Sequence, residues 1–128
     1  MHLNHGRFGA GEPLVLIHGI GHRWQAWLPE IDHLQTHHEV IALDLPGFGS
    51  SPMPAAGTPA GIASLTRLVG DFLDELNLER PHVAGNSLGG WISLELAKRD
   101  AVRSATALSP AGFHNRLEGV FQRSSLIL

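Results

Sequence analysis

Gly85-Asn86-Ser87-Leu88-Gly89 sets a serine between two glycines at a spacing suited to nucleophilic chemistry. A short apolar run at 82–85 leads into it and residues 91–99 return at once to helical character, so Ser87 falls on a strand, a sharp turn and a helix. The flanking glycines permit the strained turn that lifts a hydroxyl clear of the backbone. At the start of that helix the Leu88 N–H has no intrahelical acceptor, and there it would stabilise negative charge on a tetrahedral intermediate. Such an oxyanion needs a second donor. His18-Gly19-Ile20-Gly21 follows the apolar run at 14–17, and a loop at the carboxyl end of a parallel strand opens into the crevice where ligands bind. Its Ile20 N–H is the candidate donor. Read alone, this loop is a tight turn joining strand to helix; read with Ser87, it points to acyl transfer.

These groups need a scaffold that brings two loops together. Apolar runs alternate with helix-period segments along the chain, the pattern of an α/β fold with a mainly parallel sheet and flanking helices. After the strand at 14–17, Trp24, Trp27, Leu28, Ile31 and Leu34 fall near helical spacing, with Pro29 tolerable only in a first turn. Residues 39–45 read as a second buried strand, and 46–59 are too rich in Pro and Gly for a regular element. Thr58 and Pro59 suit the cap and first position of a helix carrying the stripe Leu65, Leu68, Val69, Phe72, Leu73 and Leu76. Asn77 suits its end, with Leu78 packing back on the last turn. Residues 102–109 read as a final strand.

Composition narrows the classes. With 128 residues, 43% hydrophobic content and no cysteine, the chain reads as one soluble domain, and thiol catalysis, thiolate metal sites and disulfides are excluded. A net charge of -3 and scattered basic residues argue against nucleic acid. The apolar runs are far too short for a membrane span and the first residues lack a signal peptide's apolar stretch, so a cytoplasmic protein is expected. His18 and His22 span glycines rather than a helix, and no HExxH occurs, so no metal is expected. Dinucleotide binding fails too: Ser87 replaces the middle glycine of one candidate GxGxxG and Trp24 the last glycine of the other. No cofactor is expected.

Among the nine histidines, His18 is expected to hold its loop by hydrogen bonding, and His22 and His114 follow strand ends where a surrogate base would sit. His33, His37 and His38 are expected on the surface, His82 at the far end of its strand, and His2 and His5 on a loose terminus.

HGIG at 18–21, LDLPGFGSS at 43–51 and GNSLGG at 85–90, in that order, resemble the amino-terminal half of an α/β-hydrolase. The resemblance implies Ser87 as nucleophile and the backbone N–H groups of Ile20 and Leu88 as an oxyanion hole. GNSLGG is similar to the form in esterases and in hydrolases that cleave carbon–carbon bonds of ring-fission products, and unlike the branch with an aspartate nucleophile. The family's triad runs serine, acid, histidine. After Ser87 this chain offers Glu95, Asp100, Glu118 and His114, none where the family places its acid. The expectation is a single truncated domain over 1–128, a partial fold lacking the carboxyl-terminal strands, with about 111–128 resembling the start of a cap insertion. The last strand would then be an uncovered edge, favouring self-association. The expected function is a serine hydrolase acting through an acyl-enzyme on a small ester or carbonyl substrate, incomplete in this chain. The alternative is a catalytically inactive module that binds a small molecule.

Overall fold

The computed structural model describes residues 1–112. Its sheet has five strands: β1 (His5–Phe8), β2 (Glu12–Ile17), β3 (His38–Leu43), β4 (His82–Asn86) and β5 (Ser104–Leu108), in the order β1-β3-β2-β4-β5. β2 to β5 pair in parallel and β1 runs antiparallel to β3. A 3-10 turn (Trp24–Trp27) leads into α1 (Leu28–Leu34); α2 (Ile62–Glu75) follows β3, and α3 (Leu88–Lys98) joins β4 to β5.

The central strands are covered on both faces, so they read as unbroken apolar runs rather than alternating ones. Val15, Ile17, Ile41, Leu43 and Val83 face Val69, Phe72 and Leu73 of α2 and Ile92 and Leu96 of α3. Leu16, Val40 and Ala42 face Trp27 and Ile31 on the other side. β5 is an edge strand with an alternating exposed pattern, half-covered among the described residues.

Four expectations change. The amino terminus is not loose: Leu3 is fully buried, the Asn4 carbonyl accepts the Asp44 N–H at 2.8 Å, and His5 opens β1. The stretch from Trp24 to Leu34 is a 3-10 turn and then a helix, with Pro29 inside the helix's first turn where its missing N–H costs nothing. α2 starts at Ile62 rather than Thr58. Its N-cap is Gly61 at φ 121, a conformation that takes the chain out of helical geometry, and the Thr58 N–H closes a separate turn onto the Ala55 carbonyl. His38 is half-buried, with its Nδ1 lacking a hydrogen-bond partner, whereas His33 and His37 are exposed as expected.

The end of α2 follows its sequence signal. Asn77 adopts φ 57, the Leu78 N–H reaches back to the Leu73 carbonyl at 3.1 Å, and Leu78 is buried. Of the segment resembling a cap insertion, about 111–128, the residues from 113 on lie outside the described residues.

Candidate active site

Parallel pairing of β2 with β4 puts Ile17 opposite Gly85, so the loops beginning at His18 and Asn86 leave the sheet side by side at its carboxyl end. Proximity is tight. A Cβ built on Gly19 would lie 3.3 Å from Ser87 Cβ and 3.9 Å from Ser87 Oγ. The two sequence patterns therefore meet around one hydroxyl.

Ser87 itself sits at φ 54 and ψ −113, a region non-glycine residues seldom occupy. Hydrogen bonds hold it there from three directions. Its N–H donates to the Leu108 carbonyl at 2.9 Å, and its carbonyl accepts from the N–H groups of Trp91 at 3.1 Å and Ala111 at 3.0 Å. The turn also needs its glycines for space. A Cβ on Gly85 would strike the Gly89 carbonyl, and one on Gly89 would strike the Ile17 carbonyl, so α3 can start against the end of β2 only without side chains there. Ser93 Oγ, buried, donates to the Gly89 carbonyl at 2.7 Å and closes the helix's first turn.

Leu88 is the first residue of α3, and among the described residues neither its N–H nor that of Ile20 donates to a backbone carbonyl. The Ile20 side chain is exposed and the Leu88 side chain is buried. Both backbone donors thus belong to the two loops that converge at Ser87.

His18 fixes the first loop from within. The ring is 1% exposed; Nδ1 lies 2.6 Å from the Gly19 carbonyl and Nε2 accepts the Leu45 N–H at 3.0 Å. An acceptor at one nitrogen and a donor at the other require the neutral tautomer with hydrogen on Nδ1. Burial pushes the His18 pKa below 6.5, against the opposing pull of the Gly19 carbonyl and Asp44. With both nitrogens committed, His18 serves structure and is no base for Ser87.

A pH dependence follows. Because the folded pKa lies below the unfolded one, the unfolded chain takes up a proton first as pH falls. Stability from this group is complete above 6.5 and is lost as pH drops from there through the folded pKa. Urea midpoints at about pH 8 and about pH 5.5 should fall further in wild type than in His18→Gln. Equal losses in both proteins would sink this assignment.

Asp44 escaped the sequence reading. It is 1% exposed, at the end of β3, and its carboxylate gathers three donors: the Trp24 N–H at 2.7 Å, the Ser50 N–H at 2.9 Å and Asn4 Nδ2 at 2.9 Å. Burial opposes its charge, yet the hydrogen bonds from Asn4, Ser50 and Trp24, with His18 nearby, hold its pKa below 3.8. Its backbone carbonyl accepts from Ser51 Oγ at 2.7 Å. One carboxylate thereby ties the amino terminus, the loop after β2 and the loop after β3. The available signal was an acid closing an otherwise apolar strand, LDL at 43–45.

Beside the turn lies a crevice of about 310 Å³ lined by His18, Gly19, His22, Trp27, Glu30 and Leu108, among others. His22 is exposed, and among the described residues its ring makes no hydrogen bond. Glu95 pairs with Lys98 and Asp100 with Arg80, so both acids are engaged elsewhere. Glu118 and His114 lie outside the described residues. Among the described residues no group of three or more His, Asp or Glu could hold a metal, and no helix is long and apolar enough to cross a membrane.

A family model described as the alpha/beta hydrolase fold matches residues 12–124. The chain is 35% identical over 123 residues to (E)-2-((N-methylformamido)methylene)succinate hydrolase of Acinetobacter baylyi, covering 93% of this chain and 46% of that protein. It is 39% identical over 107 residues to the dihydrolipoyllysine-residue acetyltransferase component of the acetoin cleaving system of Cupriavidus necator, covering 82% of this chain and 28% of that one. A solved meta-cleavage product hydrolase from Pseudomonas fluorescens superposes with a TM-score of 0.80 at 29% identity, over 89% of this chain and 43% of that one. The chain thus spans less than half the length of each.

Proposed function

The chain belongs to the alpha/beta hydrolase fold family, and from that premise we propose that Ser87 is the nucleophile of a hydrolase acting by acyl transfer on a small ester or carbonyl substrate. The observation that carries this reading is the conformation of Ser87, strained at φ 54 between two glycines that α3 and β2 leave no room to replace. Strain of this kind persists only where surrounding contacts over-determine it, and here it falls on the residue that follows Asn86, one of the residues lining the crevice.

In this mechanism Ser87 Oγ attacks the substrate carbonyl and the Ile20 and Leu88 N–H groups receive the developing oxyanion. The leaving group departs, an acyl-serine remains, and water releases it. Relatives named as hydrolases support the reaction class; the substrate in the crevice would lie against Trp27 and Leu108, with Glu30 and His22 at its polar wall. Assistance to Ser87 is the weak point of the described residues. His18 is committed to its loop, the acids Glu95 and Asp100 are paired elsewhere, and His22 is the crevice imidazole left to accept a proton. Reaction at Ser87 is therefore expected to be slow, resting mainly on the oxyanion donors.

The test is intact-mass spectrometry after treatment with a fluorophosphonate probe, with circular dichroism to verify folding. Slow labelling that maps to Ser87 and vanishes in Ser87→Ala is expected. A folded wild-type chain that gains no label at Ser87 would overturn the nucleophile assignment and favour a module that binds a small molecule without turning it over.

A further inference from the structure

At the opposite end of the sheet, the amino-terminal ends of β2, β4 and β5 bring together three side chains that Ser87 chemistry does not use. His82 Nδ1 lies 2.7 Å from Ser104 Oγ, and His82 Nε2 lies 3.0 Å from Glu12 Oε2. Arg103 donates to the other Glu12 oxygen at 3.2 Å. Sheet register explains the meeting: His82 pairs with Ser104 across β4 and β5, and with Leu14 of β2, two residues along from Glu12 on the same face.

The roles of the ring nitrogens follow from the partners. An ionised Glu12 can only accept, so the neutral His82 ring carries its hydrogen on Nε2. Nδ1 is then the acceptor for the Ser104 O–H. Glu12 is held ionised, its pKa lowered below 4.5 first by the His82 hydrogen bond and then by Arg103. The acid, imidazole and hydroxyl stand in the order of a catalytic relay, with the two ring nitrogens exchanged relative to the serine protease arrangement.

Two further features bear on reactivity. Ser104 is exposed, and it opens the edge strand.

We propose that Ser104 is a second acyl-accepting hydroxyl of this chain, with His82 as its general base and Glu12 as the positioning residue that sets the His82 tautomer. Its substrate class is an activated ester. Ser104 Oγ bonds to the ester's carbonyl carbon as its proton passes to His82 Nδ1. The carbon–oxygen bond to the leaving group then breaks with its electron pair, and Ser104 is left as the acyl ester while His82 returns the proton to solvent.

The test is p-nitrophenyl acetate on the full chain in the Ser87→Ala background, with peptide mapping of the acetyl group. Acetylation at Ser104 is expected, absent in Ser104→Ala and about 10²-fold slower in His82→Gln. Glu12→Gln should slow it while leaving the urea midpoint near that of its parent, which separates tautomer control from a purely structural clasp. Ser104 left unmodified, or acetylated equally fast in folded His82→Gln or Glu12→Gln, would overturn the proposal. Mapping keeps it separate from the reading of Ser87, whose label falls on another peptide.

Discussion

Gly89→Ala is expected to cost about 3 kcal/mol or more of stability, and to remove probe labelling at Ser87 with it. The added methyl would collide with the Ile17 carbonyl and come within 2.7 Å of the His18 carbonyl. Both obstacles are backbone at the end of β2, so neither can turn aside as a side chain would. α3 must retreat, carrying the Leu88 N–H away from Ser87 and loosening the turn that strains it. The same substitution in α2 supplies the control. At Gly70 a Cβ would make only an ordinary contact, 3.7 Å from Leu96 Cδ2, and alanine improves helix propensity. Gly70→Ala should therefore be neutral or stabilising by up to about 1 kcal/mol. Urea denaturation of the two variants decides the matter, and a Gly89→Ala protein as stable as wild type would refute the packing argument.

The second large effect is expected at Asp44. Removing its carboxylate in Asp44→Ala leaves the N–H groups of Trp24 and Ser50 and the Asn4 amide without their acceptor in a partly buried place. An unsatisfied buried donor costs about 1–3 kcal/mol; with Trp24 and Asn4 half-buried and Ser50 at the surface, where water can replace the lost acceptor, a total of about 2–3 kcal/mol is expected, from a domain stability of about 5–15 kcal/mol. Asp44→Asn should lose less. Its oxygen can still accept from Trp24, but its NH₂ then faces two donors. The depressed pKa adds a signature: the wild-type contribution is complete above 3.8 and is lost as pH falls through the folded pKa. Asp44→Ala should consequently approach wild type in acid, and a difference that stays constant down to about pH 2 would contradict that.

Asp44 also bears on the proposed chemistry. Through Trp24 it anchors the segment that follows Gly21, and through Ser50 the loop after β3, while His18 joins Leu45 to Gly19. The loop that carries the Ile20 N–H is thus braced at both ends by buried polar groups. Loss of Asp44 should slow labelling at Ser87 even under conditions where the variant remains folded.

Most of the scaffold was legible in the amino-acid order. β2, β3 and β4 announced themselves as short apolar runs, because strands covered on both faces have no polar side to show. α2 showed its stripe and its Asn77-Leu78 ending, and Ser87 stood out through the glycines on either side of it, Gly85 being required by contact with Gly89 close in sequence, although Gly89 is required by the distant Ile17 and His18 carbonyls. Elements that depend on partners distant in sequence were harder to read. β1, HGRF, has no apolar run of its own and is a strand because β3 offers its outer edge and Leu3 fills the core beside it. The Thr58 cap signal was overridden by Gly61, whose positive φ decides where α2 starts.

The sequence by itself determined the alternation of strands and helices, the two glycine-rich loops and the serine between them, since these rest on local backbone preference and on the periodicity of burial. Only the tertiary structure decided what those loops meet. Ile17 pairing with Gly85 brings Gly19 against Ser87; the crossing of three chain segments at Asp44 makes a buried carboxylate stable; and the register of β2, β4 and β5 gathers Glu12, His82 and Ser104, separated by 70 and 22 residues, into one cluster. Hydrogen bonds of that reach depend on sheet order and strand register. Those are settled by the packing of the whole core, which no local stretch of the chain specifies alone.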